Sequence, residues 1–285
     1  MSSIEKAIER LRTGGEPAKN GRVAPAATPL PDQTPPSDAH KKPTHHIDLE
    51  FLKRSLYLTP DQTRSTLGEQ YRSIKRPLLR NARGRSAAPI ERGNLIMVTS
   101  ALPGEGKSFT AMNLAMSIAL ERDVTVLLVD SDVIKQSLSR LLGLQSHEGL
   151  IDVLVDNQVS LGDVIVNTDV PKLRVLPAGQ MHLHSTELLA SEGMQRLTDE
   201  LAERYSDRIV VFDGPPLLAT TEAAVVAHFV GQVVLVVEAG RTPPQVVADA
   251  VATIGSDQVV GTVLNKSRTS LGGDQYGEYY GAYGD

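Results

Sequence analysis

The chain has 285 residues, 41% of them apolar, enough for a core in one large domain or a domain with appendages, and a formal net charge of −5. The absence of cysteine excludes disulfides, thiolate metal sites and iron–sulfur clusters; apolar runs such as Val124–Val129 and Val233–Val237 are strand length and exclude a membrane span. Residues 1–94 hold 17 Lys and Arg against 10 Asp and Glu, and residues 95–285 hold 12 against 24, so the front half suits an acidic membrane surface or an acidic neighbour as well as a solvated linker.

The opening Met1-Ser-Ser-Ile-Glu-Lys6 carries an acid and lacks an apolar stretch with a cleavage site, so no secretory signal is expected and the protein reads as cytoplasmic. Residues 1–12 predict an amphipathic helix with Ile4, Ala7, Ile8 and Leu11 on one stripe. About three turns are marginal alone, so the helix needs its own domain, a partner or a membrane to lie on. Residues 13–46, with seven prolines among Ala, Asp and Lys, predict an extended linker.

Residues 47–92 predict a helical segment packed on the core. A short helix falls within Ile47–Leu58, stopped by Thr59-Pro60, and a stronger one spans Arg64–Arg76, with Leu67, Tyr71, Ile74 and Leu78 on one stripe. Pro77 is expected to end or kink it. Glu69, Arg72 and Lys75 share another face, where spacing alone makes them a local ion-pair ladder.

Ile96–Thr110 is the stretch on which the rest depends. An apolar run to Ser100, the turn Pro103-Gly104-Glu105-Gly106, and Lys107-Ser108-Phe109 opening an apolar-periodic segment read as strand, phosphate loop and helix. Gly104 and Gly106 allow backbone angles that turn successive N–H groups into one concavity, to which the helix dipole adds. Lys107 can reach the β- and γ-phosphates of ATP, and the Ser108 hydroxyl can ligate Mg²⁺. Residues 103–109 are therefore the expected nucleotide contacts.

Downstream, strands are expected at Val124–Asp130, Leu173–Pro177, Arg208–Asp213, Gln232–Glu238 and Val259–Leu264. Helices are expected at Lys135–Leu142, Ser185–Leu189, Ser191–Arg204, Thr221–His228 and Pro244–Ile254, with single helical turns at Leu150–Leu154 and Leu161–Ile165. Continuous β-branched strands alternating with helices predict an α/β, P-loop NTPase-like domain over residues 93–269: a mostly parallel sheet with helices on both faces.

Right-handed crossovers gather the strands' C-terminal ends on one edge, where ligands of such sheets bind. The phosphate loop, Asp130 and Asp213 all belong to that edge. Ser108 and Asp213 suit a Mg²⁺ ion, which needs hard oxygen ligands, and Asp130-Ser-Asp132 adds two carboxylates. Asp132 is assigned to the metal shell and Asp130 to accepting a proton from an attacking hydroxyl; either can instead cap the helix that follows. Asn265-Lys266 is either the edge of the base pocket or a polar loop.

Four of the seven tyrosines, Tyr276, Tyr279, Tyr280 and Tyr283, fall in the last ten residues among glycines and acids, and no Lys or Arg follows Arg268. Residues 270–285 cannot build a core. They are a low-complexity end or, beside a nucleotide site with a candidate base, a phosphate acceptor. Each phosphate would add about −1.5 to −2 charge, so a fully modified tail should resist docking.

The sequence resembles the bacterial tyrosine kinases built on Walker motifs. The matching residues are Ser100-Ala-Leu-Pro-Gly-Glu-Gly-Lys-Ser108 as Walker A, Val126-Leu-Leu-Val-Asp-Ser-Asp132 as Walker A′, Ile209-Val-Val-Phe-Asp-Gly-Pro-Pro216 as Walker B, and the tyrosine tail. Glu69–Leu79 and His184–Ser191 look most like the branch associated with exosortase-type exopolysaccharide systems, and the resemblance covers roughly residues 47–285.

The resemblance implies ATP- and Mg²⁺-dependent phosphorylation of tail tyrosines between copies in a ring-like homo-oligomer, controlling polysaccharide polymerisation and export. It implies a separate membrane chain-length-determinant (Wzz-like) activator, hence peripheral recruitment to the inner membrane, a cognate tyrosine phosphatase, and no nucleic acid. It assigns catalysis to Lys107, Asp130, Asp132 and Asp213, and maps a Glu-x2-Arg-x2-Arg oligomerisation motif to Glu69, Arg72 and Lys75. Lysine lacks the bidentate fork of arginine, so the ring contact is expected to weaken or to shift to Arg76. Val133-Ile-Lys-Gln136 stands where the family has a basic pair and proline, which leaves the two acids in place and the local loop open. Two other readings stand beside this one. The first is a ParA- or MinD-like dimerising ATPase, which would need a lysine where this chain has Leu102. The second is a nucleotide-gated adaptor with negligible turnover.

Overall fold

Strands apolar at every position need cover on both faces, and the computed structural model of the chain provides it for Leu95–Ser100, Thr125–Asp130 and Arg208–Asp213, while the edge strand Val259–Asn265 is mostly exposed. Residues 43–267 are described, apart from 87, 157 and 205–207. The expected N-terminal helix, the linker before residue 43 and the tyrosine tail lie outside the described residues.

In chain order the elements are β1 (Thr44–His45), α1 (Leu49–Arg54), a 3-10 turn (Pro60–Gln62), α2 (Thr66–Ala82), β2 (Leu95–Ser100), α3 (Lys107–Ala119), β3 (Thr125–Asp130), α4 (Ser137–Leu141), α5 (Leu150–Val155) and α6 (Leu161–Val164). Then come β4 (Val166–Thr168), β5 (Leu173–Leu176), α7 (Ser185–Leu189), α8 (Glu192–Arg204), β6 (Arg208–Asp213), α9 (Glu222–His228), β7 (Gln232–Glu238), α10 (Pro244–Ala252) and β8 (Val259–Asn265). One sheet takes the order β1-β4-β5-β3-β6-β2-β7-β8, parallel except where β4 meets β5.

Side chains of a strand alternate between faces, and β2 divides accordingly. Ile96 and Val98 join Leu52, Tyr71, Leu79 and Leu114 in a layer covered by α1, α2 and α3. Leu95 and Met97 join Leu150, Leu189, Met194, Leu201 and Val226 in the opposite layer. No helix among the described residues is long and apolar enough to cross a membrane.

Several expectations are corrected. Pro77 does not end α2, which runs on to Ala82. The ring and Ser73, whose carbonyl loses its partner, are both exposed, so water can take that bond, while Leu78 and Leu79 beyond it are buried in the core. The Ile47–Leu58 helix is shorter, because Asp48 caps it by accepting from the Phe51 N–H at 2.8 Å and Leu56 turns to φ 64°. The helix expected from Lys135 begins at Ser137, since Gln136 sits at φ 47°. Strands β1 and β4 were not expected: two and three residues are too short for periodicity, and pairing across the chain creates them.

Lys75 is the correction with functional weight. Spacing groups it on one face with Glu69 and Arg72, but its ammonium is buried, donating to the Ser117 carbonyl at 2.6 Å and pairing with Glu121 at 2.7 Å. It ties α2 to α3. Arg72 does stay with Glu69 at the surface and also donates to the Thr63 carbonyl at 2.8 Å.

Candidate active site

Parallel pairing assembles the site. Asp130 and Asp213 end the adjacent strands β3 and β6 in direct register, and Asp213 also lies opposite Val98 of β2, two residues before that strand turns into the loop. Gly214 N–H donates to the Val98 carbonyl at 2.9 Å and the Thr99 hydroxyl to the Pro215 carbonyl at 2.6 Å, which clamps the two turns together.

Between β2 and α3 the loop passes through Gly104 at φ 90° and Gly106 at φ 101°, both in the left-handed region. Gly106 has a second constraint: a Cβ there would come within 2.0 Å of the Asn265 amide nitrogen. That amide donates to the Glu105 carbonyl at 2.9 Å, and Lys266 donates to the Gly104 carbonyl at 2.7 Å. Asn265-Lys266 therefore braces the phosphate loop from β8. Glu105 is itself buried, accepting from the Leu102 N–H at 2.7 Å and from the Thr242 hydroxyl. Gly106→Ala should lower stability by about 1–3 kcal/mol and weaken ATP binding at least tenfold, as read by thermal melts and a nucleotide titration.

The charged centre is buried. Lys107, with 7% of its side chain exposed, pairs with Asp132 Oδ2 at 2.6 Å and stands 3.6 Å from Asp213 Oδ1; its ammonium lies 3.3 Å from the Ser108 hydroxyl. Burial acts to lower the Lys107 pKa, but Asp213 and then Asp132 outweigh it and hold it above the ordinary lysine value. Burial raises Asp213 above the usual carboxylate range, against the Lys107 charge and the Ser108 hydroxyl.

Asp130 is fully buried. Its Oδ2 accepts from the Ser139 N–H and hydroxyl, both at 2.7 Å, while Oδ1 has no hydrogen-bond partner. Burial, then the Asp213 charge, pushes its carboxyl up to about 7 despite those bonds. Ser139, missed by sequence reasoning, thus fixes one oxygen of Asp130 and leaves the other free.

Both carboxylate oxygens of Asp213 are buried without a hydrogen-bond partner of proper geometry. Such a group is costly unless a cation relieves it. With the Ser108 hydroxyl and Asp132 beside it, the set fits Mg²⁺, which takes one or two carboxylates and completes its shell with phosphate oxygens and water.

Pro103 is exposed at the rim, and the Phe109 ring turns away to pack on Tyr57, centroids 5.0 Å apart. Burial, then the charge of Asp213, raises the Tyr57 phenol above its ordinary range, so a residue well upstream of the loop belongs to the site's wall. Nothing in its local sequence marks it.

A family model described as an AAA domain matches residues 93–255. The chain is 33% identical to the tyrosine-protein kinase YwqD of Bacillus subtilis over 224 residues, 77% of this chain and 89% of that one. It is 31% identical over 246 residues to the succinoglycan biosynthesis transport protein ExoP of Rhizobium meliloti, 81% of this chain but 30% of that one. The kinase domain of the Escherichia coli tyrosine kinase ETK superposes with a TM-score of 0.65 at 25% identity, covering 80% of this chain and 90% of that one. With its phosphate loop, its acids on adjacent strand ends and these matches, the chain belongs to the bacterial tyrosine-protein kinase family built on a P-loop α/β core.

Proposed function

We propose that the protein is an ATP- and Mg²⁺-dependent tyrosine autokinase that phosphorylates Tyr276, Tyr279, Tyr280 and Tyr283 of a neighbouring copy and regulates exopolysaccharide polymerisation or export. The observation that carries this reading is a buried lysine set among three buried acids, where Asp130 keeps one oxygen and Asp213 both oxygens without a hydrogen-bond partner. The braced β8 end supports it, since residues 265 and 266 touch the phosphate loop just before the chain continues toward the tail.

In this reading the loop backbone and Lys107 hold the phosphates, and Ser108, Asp132 and Asp213 hold Mg²⁺, which when bound neutralises charge on the β- and γ-phosphates. Asp130 Oδ1 takes the phenolic proton as the phenol oxygen bonds to the γ-phosphorus and the bond to the β,γ-bridging oxygen breaks. ADP and phosphotyrosine result, and the proton passes from Asp130 to water. A carboxyl near pH 7 suits that exchange.

Replacing all four tail tyrosines by Phe should abolish self-labelling with Mg-ATP and activator while sparing ATP binding. Label persisting elsewhere would reassign the acceptors. In the parent, ATP consumption without phosphotyrosine would point to the dimerising ATPase, and neither signal to the adaptor.

The ring-like assembly is assigned to Glu69 and Arg72, with the third place passing from buried Lys75 to exposed Arg76. Arg72→Ala should weaken self-association at least tenfold; unchanged sedimentation would contradict it. The proposal also places a separate Wzz-like activator that recruits the protein to the inner membrane, a cognate phosphatase, and membership of the exosortase-associated branch. The succinoglycan transport relative supports the link to polysaccharide export.

A further inference from the structure

We propose that the C-terminal half of α2 and the turn after it form a docking face for an anionic lipid bilayer. Between Glu69 and Glu91 the sequence carries six Lys and Arg and no acid. Two of the six are engaged, Arg72 with Glu69 and Lys75 with Glu121. Arg76, Arg80, Arg83 and Arg85 are exposed, and none has an ion-pair partner among the described residues. With Arg76 left to the ring contact, Arg80 and Arg83 follow it at helical spacing on the same stripe, and Arg85 lies in the turn just beyond the helix.

The row's far end is fixed by a buried amide cluster. Asn81 donates to the Gln232 side-chain oxygen at 2.8 Å, and the Gln232 amide donates to the carbonyls of Leu78 at 3.1 Å and Gly93 at 2.5 Å. Gln232 opens β7, so Arg80, Arg83 and Arg85 sit at the strands' N-terminal ends, opposite the phosphate-loop edge. Among the described residues, none of the large exposed apolar side chains lies between residues 76 and 92. Attachment there is electrostatic, with no hydrophobic wedge.

A bilayer fits better than the other polyanions. The row is short, its helical part from Arg80 to Arg83 rising only about 5 Å, is bounded by Glu69 and Glu91, and offers no aromatic side chain on which a nucleic-acid base could stack. A neighbour's acidic tail held here would be at the wrong end of the domain for the nucleotide site. Residues 95–285, with 24 acids against 12 basic residues, repel an anionic surface, whereas this basic face attracts one. The nucleotide edge then points away from the lipid.

The test is cosedimentation of the full chain with phosphatidylcholine vesicles with and without phosphatidylglycerol. The parent should bind only the anionic vesicles and be released by about 0.5 M salt, where the Debye length shrinks to a few ångströms. R80Q/R83Q/R85Q should lower the partition coefficient about 100-fold with an unchanged thermal melt and ATP affinity. R80K/R83K/R85K, which keeps the charge, should bind within about threefold of the parent. Equal binding to neutral vesicles, full binding by the glutamine variant, or loss in the lysine variant would overturn the proposal. So would tighter binding of duplex DNA, or of a synthetic 269–285 peptide, that the glutamine variant loses.

Discussion

Lys107→Met is expected to lower tail phosphorylation by about 10²–10³-fold and to destabilise the nucleotide-free protein. Both effects follow from the 2.6 Å pair with Asp132 and the 3.6 Å approach to Asp213 in a pocket where Asp132 is 3% and Asp213 0% exposed. Methionine fills the same volume but leaves those acids without their cation, and breaking a buried pair in this way costs about 3–5 kcal/mol. Protonation can relieve part of that cost, so the melting temperature of the variant should recover as pH falls from 8 to 6. Added Mg²⁺ should also raise the variant's melting temperature more than the parent's, because the ion no longer competes with the ammonium. Phosphotyrosine blotting and melts with and without Mg²⁺ read the two effects. A variant as stable as the parent at pH 8 would mean that Lys107 does not neutralise this cluster.

Asp130→Asn should leave ATP affinity within a few-fold of the parent and lower transfer by about 10²–10⁴-fold. The asparagine carbonyl can still accept the two bonds from Ser139, so the loop holding it should survive. Equal transfer rates would reject Asp130 as the base. The same substitution should alter stability with a definite sign. Asp130 is raised to about 7 in the folded protein, chiefly by burial and then by Asp213, against about 3.9 for an unperturbed aspartate. The folded state therefore binds the extra proton, and this group's contribution to stability falls as pH rises from about 4 to about 7 and is gone above that. The asparagine variant should be the more stable of the two at pH 8, by up to a few kcal/mol, and the gap should close toward pH 5. Urea unfolding at the two pH values measures it.

Much of this site was legible because its parts announce themselves locally. The turn from Pro103 to Ser108 carries its glycines in order, and the runs ending at Asp130 and Asp213 are apolar at nearly every position, as strands covered on both faces must be. The partners that tune those residues were not legible. Ser139, Thr242 and Tyr57 reach the site only through folding, and Asn265, open in the sequence between a pocket edge and a polar loop, is brought against the phosphate loop from 160 residues away. Pro77 shows the same limit in a helix, because its local preference to stop α2 was outweighed by the burial of Leu78 and Leu79 beyond it.

By itself the order of residues determined a parallel α/β core, a phosphate loop between its strand and helix, and acids at two strand ends, since each rests on short-range periodicity and backbone freedom. Only the tertiary structure decided that Lys107 lies between Asp132 and Asp213, that Asp130 keeps one oxygen free near neutral pH, and that Lys75 is buried against Glu121 and Ser117 while Arg76 stays outside. Distances and desolvation belong to chain segments brought together, and no stretch of sequence contains them.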